Sequence, residues 1–432
     1  MMRTLEVRYS TLRDGFALFG LLFYTQVVAF FIRFGADSSL SGIEQELEGN
    51  LVNQFFGTVT LLVPLYFFIR HRFFQRKSLY QQHFYLLLFL LTLCLSIFWS
   101  YAPMLSLKRF IALLSVVMFA GFLVYTYSLE KIALYLGCLI GISSLVALIA
   151  AVLIPGMMVS EGLREGAFKG VFVEKNVNAR VNAIAIILLL PAIQRKHRWA
   201  IVCALFSLIA LALAKSATGV LMIIAGVSTY WYFTLLIETR INRSRSAFFI
   251  ATGLYLAFGY LIYAHHDFIL GLLDRDPTLT NRTIIWKILE PSIEAEYLKG
   301  YGFGAFWTSS SADAFLLRWG HIGNAHNGYK ETLLNGGMIQ LAALIALFAN
   351  LLFRCYRAMG NKVATRHYAT ITIIMALFAV TNYVAYIIPN YRSPEFLIFC
   401  ILALALGRSR LPRHELPGRL PRQHVNSTIT GN

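Results

Sequence analysis

Long, nearly charge-free apolar stretches run through most of this chain, and the short polar connections between them are rich in arginine and lysine. Many stretches reach about 18–20 residues, the length at which a helix crosses a hydrocarbon core of about 30 Å. Within lipid, backbone N–H and C=O groups must pair inside their own segment, so such runs become helices. The pattern predicts an all-α, polytopic membrane protein of about twelve spans, near 15–34, 51–69, 84–100, 109–127, 132–154, 180–193, 200–214, 217–237, 247–264, 336–353, 367–389 and 396–407. The runs at 180–193, 200–214 and 396–407 are short, and are expected to be tilted, broken or merged with their neighbours.

One stretch, 265–335, breaks the pattern with polar, glycine and aromatic residues. Within it Ile284, Ile285, Ile288 and Leu289 recur at helical spacing and predict an amphipathic helix over 282–298, with Thr280 or Asn281 as its cap. Gly300, Gly302 and Gly304 permit close backbone approach to a ligand. Phe303, Phe306, Trp307 and Trp319 suit either sugar stacking or, more commonly, anchoring at a membrane interface. Asn327 is placed to cap a helix with Glu331 in its early turns, and Gly336-Gly337 is expected to open the next span.

Composition sharpens the class: 58% of the 432 residues are hydrophobic and 14% are charged, against about 25% charged in soluble domains. The net charge of +17 follows the membrane order. With the N-terminus taken as cytoplasmic, basic residues gather in 1–14, 70–83, 194–199, 238–246, 354–366 and the tail, whereas 35–50 and 390–395 are poorer in them. Both termini then lie inside and 265–335 lies outside. The cations report topology and attract anionic headgroups. No basic stripe interleaved with aromatics suggests nucleic acid. The expected organisation is a cytoplasmic N-terminus over 1–14, a membrane domain over 15–407, and a disordered cytoplasmic tail over 408–432, rich in arginine and proline. The first apolar run lacks a small-residue cleavage site and reads as a retained anchor. The five cysteines show no redox or metal spacing.

Candidate chemistry collects in the outer segments. The loop 155–179 carries Arg164, Lys169 and Lys175 against the topological trend, with Arg180 at the mouth of the following span. Such a cluster binds phosphate through charge-assisted hydrogen bonds, or pairs with Glu161, Glu165 and Glu174. Arg282, in the first turn of its predicted helix, is opposed by the helix dipole by a few tenths of a kcal/mol, so an anionic partner would explain it. A histidine near its unperturbed pKa of about 6.5 suits a general base, which makes His326 a candidate, or it serves as a structural histidine bonded to backbone near the helix start. A metal set from His321, His326 and Glu331, or from His265, His266 and Asp267, lacks the i, i+4 spacing that places two ligands on one helix face, and no metal or other cofactor is assigned.

The order Leu279-Thr280-x-Arg282-x3-Trp286, Pro291, Gly300-Tyr301-Gly302-x-Gly304-x2-Trp307, Ala325-His326-Asn327-Gly328-Tyr329-x-Glu331 and Gly336-Gly337 resembles the O-antigen ligase and O-antigen polymerase superfamily, most closely its exopolysaccharide-polymerase branch. Further upstream, Ser100-x2-Pro103-x2-Ser106-x-Lys108-Arg109, Lys169-Gly170-Val171-Phe172-x2-Lys175-Asn176 and Lys215-Ser216-Ala217-Thr218-Gly219 match other signatures of it, so the resemblance covers about 96–340. It implies a membrane glycosyltransferase of the C type in the bacterial inner membrane, with its active face periplasmic and no metal. The implied donor is an undecaprenyl-diphosphate-linked glycan. The acceptor is another lipid-linked repeat unit for a polymerase, or lipid A-core for a ligase, and other polysaccharide assembly proteins are possible partners. The resemblance makes His326 and Arg282 the catalytic pair. From their placement together with the resemblance, Arg164, Lys169, Lys175 and Arg180 are assigned as donor diphosphate contacts, with Asn327, Glu331, Trp286 and Trp307 in support. The chain departs from the family pattern at Asn281, where glycine is usual, at Lys169, where arginine is frequent, and at Glu174, where histidine is frequent. A flippase or exporter of polysaccharide lipids, and a non-catalytic scaffold, are the alternatives from other classes. Transporters place ionisable groups near the bilayer midplane, whereas here the polar mass lies on one face.

Overall fold

The computed structural model describes residues 2–28, 30–31, 51–159, 166–238, 245–264, 282–313, 315, 317, 323–359 and 365–408. Its helices are α1 (Met2–Tyr24), α2 (Leu51–Arg70), α3 (Lys77–Leu95), α4 (Pro103–Thr126), α5 (Leu129–Leu153), α6 (Lys175–Gln194), α7 (Arg198–Leu213), α8 (Ala217–Glu238), α9 (Arg245–Ala264), α10 (Arg282–Ala295), α11 (Gly328–Met359), α12 (Thr365–Thr381) and α13 (Pro394–Arg408), with a single helical turn at Pro155–Met158. Among the described residues the only β pairing is an isolated bridge between Val159 and Phe168. Among the described residues, seven helices, α2 to α6, α8 and α11, are long and apolar enough to cross a membrane; α7, α12, α13 and the apolar part of α9 are shorter. The polytopic helical architecture is the one expected, but the twelve apolar runs do not all become full-length helices.

The differences have local causes. α1 begins at Met2, so most of the expected N-terminal segment is already helical. The short run 180–193 is part of the 20-residue α6, whose opening turns carry Lys175, Asn176, Asn178, Arg180 and Asn182. Hydropathy misses those turns, yet they are buried and internally paired. Asn182 Nδ2 donates to Asn178 O (2.9 Å) and Asn178 Oδ1 (2.8 Å), and Ser144 Oγ donates to Asn182 Oδ1 (2.8 Å). Bonds of this kind, within α6 and across to α5, satisfy polar groups that lipid cannot. α6 is accordingly the central helix, packed on α5, α7, α8 and α12.

The expected span 367–389 stops as a helix at Thr381. There Asn382 turns the chain: its side-chain oxygen accepts from Ile387 N (3.2 Å) and Ile388 N (3.0 Å), and its carbonyl accepts from Gly328 N (2.6 Å). The apolar residues that follow form a connection, not a helix. The Gly336-Gly337 pair does not open α11 but breaks it: Gly336 has φ −148° and ψ 18°, and Gly337 has φ 62° and ψ −158°. Carbonyls released at the break are taken up by the large loop. Leu334 O accepts from Tyr301 N (2.7 Å), Asn335 O accepts from Gly302 N (3.0 Å), and Met338 N donates to Tyr297 O (2.9 Å). The segment around Gly300 thus approaches the chain itself, where a ligand was expected.

α10 ends at Ala295, short of the expected 298. Its buried stripe is Ile285, Trp286, Leu289 and Ile293, while Ile284 is 42% exposed, so the apolar face is rotated away from the expected one. With Tyr301, Phe306, Trp307, Phe315 and Leu334 this stripe forms a second core beside that of the bundle. Phe303, Phe306 and Trp307 are fully or almost fully buried, which leaves them neither as interface anchors nor as open sugar platforms.

Candidate functional site

The C-terminal end of α1, the starts of α4, α6, α10, α11 and α13, and the connection 382–393 converge on a polar cavity of about 340 Å³. Its wall includes Arg109, Arg180, Arg282, Arg392, His326 and three carboxylates, Glu174, Glu331 and Glu395. Residues far apart in sequence therefore meet in one place.

Arg282 is the first residue of α10, and its Nη1 donates to Val384 O (2.5 Å). Arg109, near the start of α4, donates from Nη1 to Gly304 O (2.6 Å). Gly304, with φ +70°, is held from its other side by Asn335 Oδ1, which accepts its N–H (2.7 Å). A Cβ at that position would lie 2.5 Å from Arg109 Cδ and Nη1, so a glycine is needed for the guanidinium to lie against the loop. Both arginines donate to backbone carbonyls, which orient the guanidinium. Arg392 is exposed at the rim, with its guanidinium 5.6 Å from the centre of the Tyr391 ring. Its carbonyl accepts from Gln26 Nε2 (2.8 Å), tying the end of α1 to the rim.

Arg180 is different. It is buried, and its Nε donates to Glu395 Oε1 (2.5 Å) while Nη2 reaches Glu395 Oε2 (3.5 Å). Ser393 Oγ also donates to Glu395 Oε2. The expected phosphate contact lines the cavity as half of a buried ion pair between α6 and α13.

His326 is half-buried, and its backbone lies in the left-handed region at φ +48°. Its N–H donates to Asn324 Oδ1 (2.9 Å). Asn327 caps α11 as expected, its Oδ1 accepting from Tyr329 N (2.9 Å) and Lys330 N (3.1 Å). Trp286 and Trp307 do not line the cavity but support its wall: Trp286 Nε1 donates to Ala325 O (3.0 Å), and Trp307 Nε1 donates to Glu331 (3.1 and 3.3 Å). Glu331 also accepts from Ala325 N (2.8 Å). On the outer flank of the loop, Tyr101 Oη donates to Glu296 Oε1 (3.0 Å), and that carboxylate holds the exposed phenol above its ordinary pKa.

The structure thus brings together Arg282, His326, Arg180 and Glu331 among the residues expected from the sequence. Lys169 and Lys175 are not in the cavity wall: Lys175 is buried at the start of α6, and the Lys169 backbone donates to Met158 O (2.8 Å). Arg164, the caps Thr280 and Asn281, Trp319, the histidines at 265, 266 and 321, Asp267, Glu161, Glu165 and the tail beyond 408 lie outside the described residues. Arg109, Arg392 and Gln26 were not expected. Arg109 stands in an upstream signature, which was a usable signal; Arg392 and Gln26 carried none. Among the described residues, no three His, Cys, Asp or Glu side chains are gathered as a metal set.

These features define a class: a helical membrane protein whose large loop folds over one end of the bundle and closes an arginine-lined polar cavity. Residues 202–345 match the family described as O-antigen ligase. The chain is also similar to the exopolysaccharide production protein ExoQ of Rhizobium meliloti (strain 1021), 27% identical over 357 residues that make up 78% of this chain and 80% of the relative. The two matches support the resemblance read from the motifs, to the O-antigen ligase and polymerase superfamily in its exopolysaccharide branch. The matched segment 202–345 contains Arg282, His326 and Glu331, while Arg109, Arg180 and Arg392 reach the cavity from outside it.

Proposed function

We propose that this protein is a membrane glycosyltransferase that extends a polysaccharide at the periplasmic face of the bacterial inner membrane, using a glycan carried on undecaprenyl diphosphate. The acceptor is the sugar end of a second carrier-linked unit. In the transfer, the acceptor hydroxyl oxygen bonds to the anomeric carbon as the bond from that carbon to the diphosphate oxygen breaks. His326 takes the hydroxyl proton, and the charge on the departing diphosphate is stabilised by Arg282 with Arg109 and Arg392. Fixed cations at the point where charge develops supply the largest share of such catalysis, and a general base adds about 10²–10⁴-fold. Arg180 is not given a phosphate role, because Glu395 already pairs it.

The observation that carries this reading is the meeting of His326 and Arg282, both from the loop region, with Arg109 and Arg392 around one cavity. The test uses the purified protein in liposomes with a lipid-diphosphate-linked oligosaccharide. His326→Ala is expected to lower transfer by about 10²–10⁴-fold and Arg282→Glu to weaken donor binding. Full transfer by His326→Ala would remove the base assignment.

A second reading, ligation to lipid A-core, is favoured by the description of the family that matches 202–345. The product decides between the two. Cells lacking the protein accumulate single repeat units if extension is lost, and long carrier-bound chains if ligation is lost.

A further inference from the structure

We infer that Glu331 and Trp307 are positioning residues for His326, acting through the backbone of Ala325 just before it; this rests on the transfer reading above. A left-handed backbone at a residue other than glycine is costly and persists only where its surroundings over-determine it. Here they do so from both sides of His326. The Ala325 N–H is held by Glu331 Oε2 (2.8 Å), and the Ala325 carbonyl, in the peptide leading into His326, accepts from Trp286 Nε1 (3.0 Å). Beyond the histidine, Asn327 caps α11, and α11 carries Glu331 back towards Ala325. The segment from Ala325 to Glu331 is therefore a closed ring with His326 inside it.

Glu331 closes this ring. Its carboxylate is 2% exposed and lies between two N–H donors, Ala325 N and the Trp307 indole. Oε2 lies 2.8 Å from Ala325 N, and the indole nitrogen lies 3.1 Å from Oε1 and 3.3 Å from Oε2, so both donors meet an acceptor. Glutamine at this position would turn an NH₂ towards one of those donors and push either the indole or the Ala325 peptide away. A misplacement of about 1 Å at a reacting group lowers rates by about 10²-fold.

The experiment compares kcat and donor KM of the full-length protein in liposomes, with a lipid-diphosphate-linked oligosaccharide as substrate. The variants are Glu331→Gln, Trp307→Phe and the two combined. Glu331→Gln is expected to lower kcat by about 10²-fold with donor KM nearly unchanged. Trp307→Phe removes the indole donor that opposes the amide, so the double variant should regain about tenfold over Glu331→Gln. A residue needed only for folding would give no such recovery. If Glu331→Gln does not insert into the membrane, Trp286→Phe tests the other hold on Ala325, at its carbonyl, and should also lower kcat while sparing KM. Wild-type kcat in Glu331→Gln, a double variant as poor as the product of the two single losses, or an effect confined to KM would overturn the positioning role. A wild-type protein that transfers no glycan would overturn the transfer reading and this inference with it. Active wild type, inactive His326→Ala and unaffected Glu331→Gln would overturn this inference alone.

Discussion

Burying Arg180 and Glu395 together strips water from two full charges, which costs several kcal/mol for each ion and is offset only while they remain paired. Glu395→Ala would leave the Arg180 guanidinium buried without its carboxylate. We expect a loss of about 3–5 kcal/mol, seen as a lower melting temperature of the detergent-solubilised protein. An unchanged melting temperature would show that water reaches the pair freely. Arg392 gives the opposite expectation, because it is exposed at the rim. Arg392→Ala should leave melting unchanged and raise donor KM by on the order of 10- to 100-fold, the range for losing a hydrogen bond to a charged group. His326 and Arg282 were legible in the sequence because ionisable residues stand out beside membrane-length apolar runs. Arg392 was not, since a short connection with one arginine looks poor in positive charge. That Lys169 and Lys175 do not line the cavity has a physical source too. Sequence shows that cations share a loop, but which way they face depends on α6 packing its opening turns inward.

At the scale of elements, the break in α11 decides where the site can form. The loop enters that break with Tyr301 N and Gly302 N on the freed carbonyls, and the same loop presents Gly304 O to Arg109. Gly337 combines a backbone conformation open essentially to glycine alone with direct contact: a Cβ there would collide with the Leu298 carbonyl and come within 2.5 Å of Lys299 N. At Gly336, φ is negative and the colliding atoms are side-chain atoms of Gln340, not backbone. Gly337→Ala should therefore destabilise by at least about 1–3 kcal/mol and abolish transfer, whereas Gly336→Ala should be milder, as read by melting temperature and transfer rate on both variants. Equal effects would mean that the loop does not depend on the break. Two adjacent glycines carry the same local signal at a helix start and at a helix break. What separates the two here is the distant segment that fills the gap, and no local pattern reports it.

For the whole molecule, the proposed chemistry requires that the loop over the cavity and the arginine-rich turns face opposite sides of the membrane. The order of the helices makes this testable at two exposed positions that do not line the cavity. Ser310 is exposed on the large loop, and Gln75 is exposed in the turn between α2 and α3, beside Arg72 and Arg76. The native cysteines are buried or half-buried, so they offer little background reaction. In intact cells stripped of their outer membrane, a membrane-impermeant thiol reagent should label Ser310→Cys and should reach Gln75→Cys only after the inner membrane is opened. The placement follows from the bias of lysine and arginine towards one set of connections, while the cavity follows from packing, so the two are independent. The reverse labelling pattern would leave the cavity intact but turn it to the cytoplasm. There the proposed periplasmic polymerisation could not occur, and the same cluster of arginines and histidine would need a different substrate.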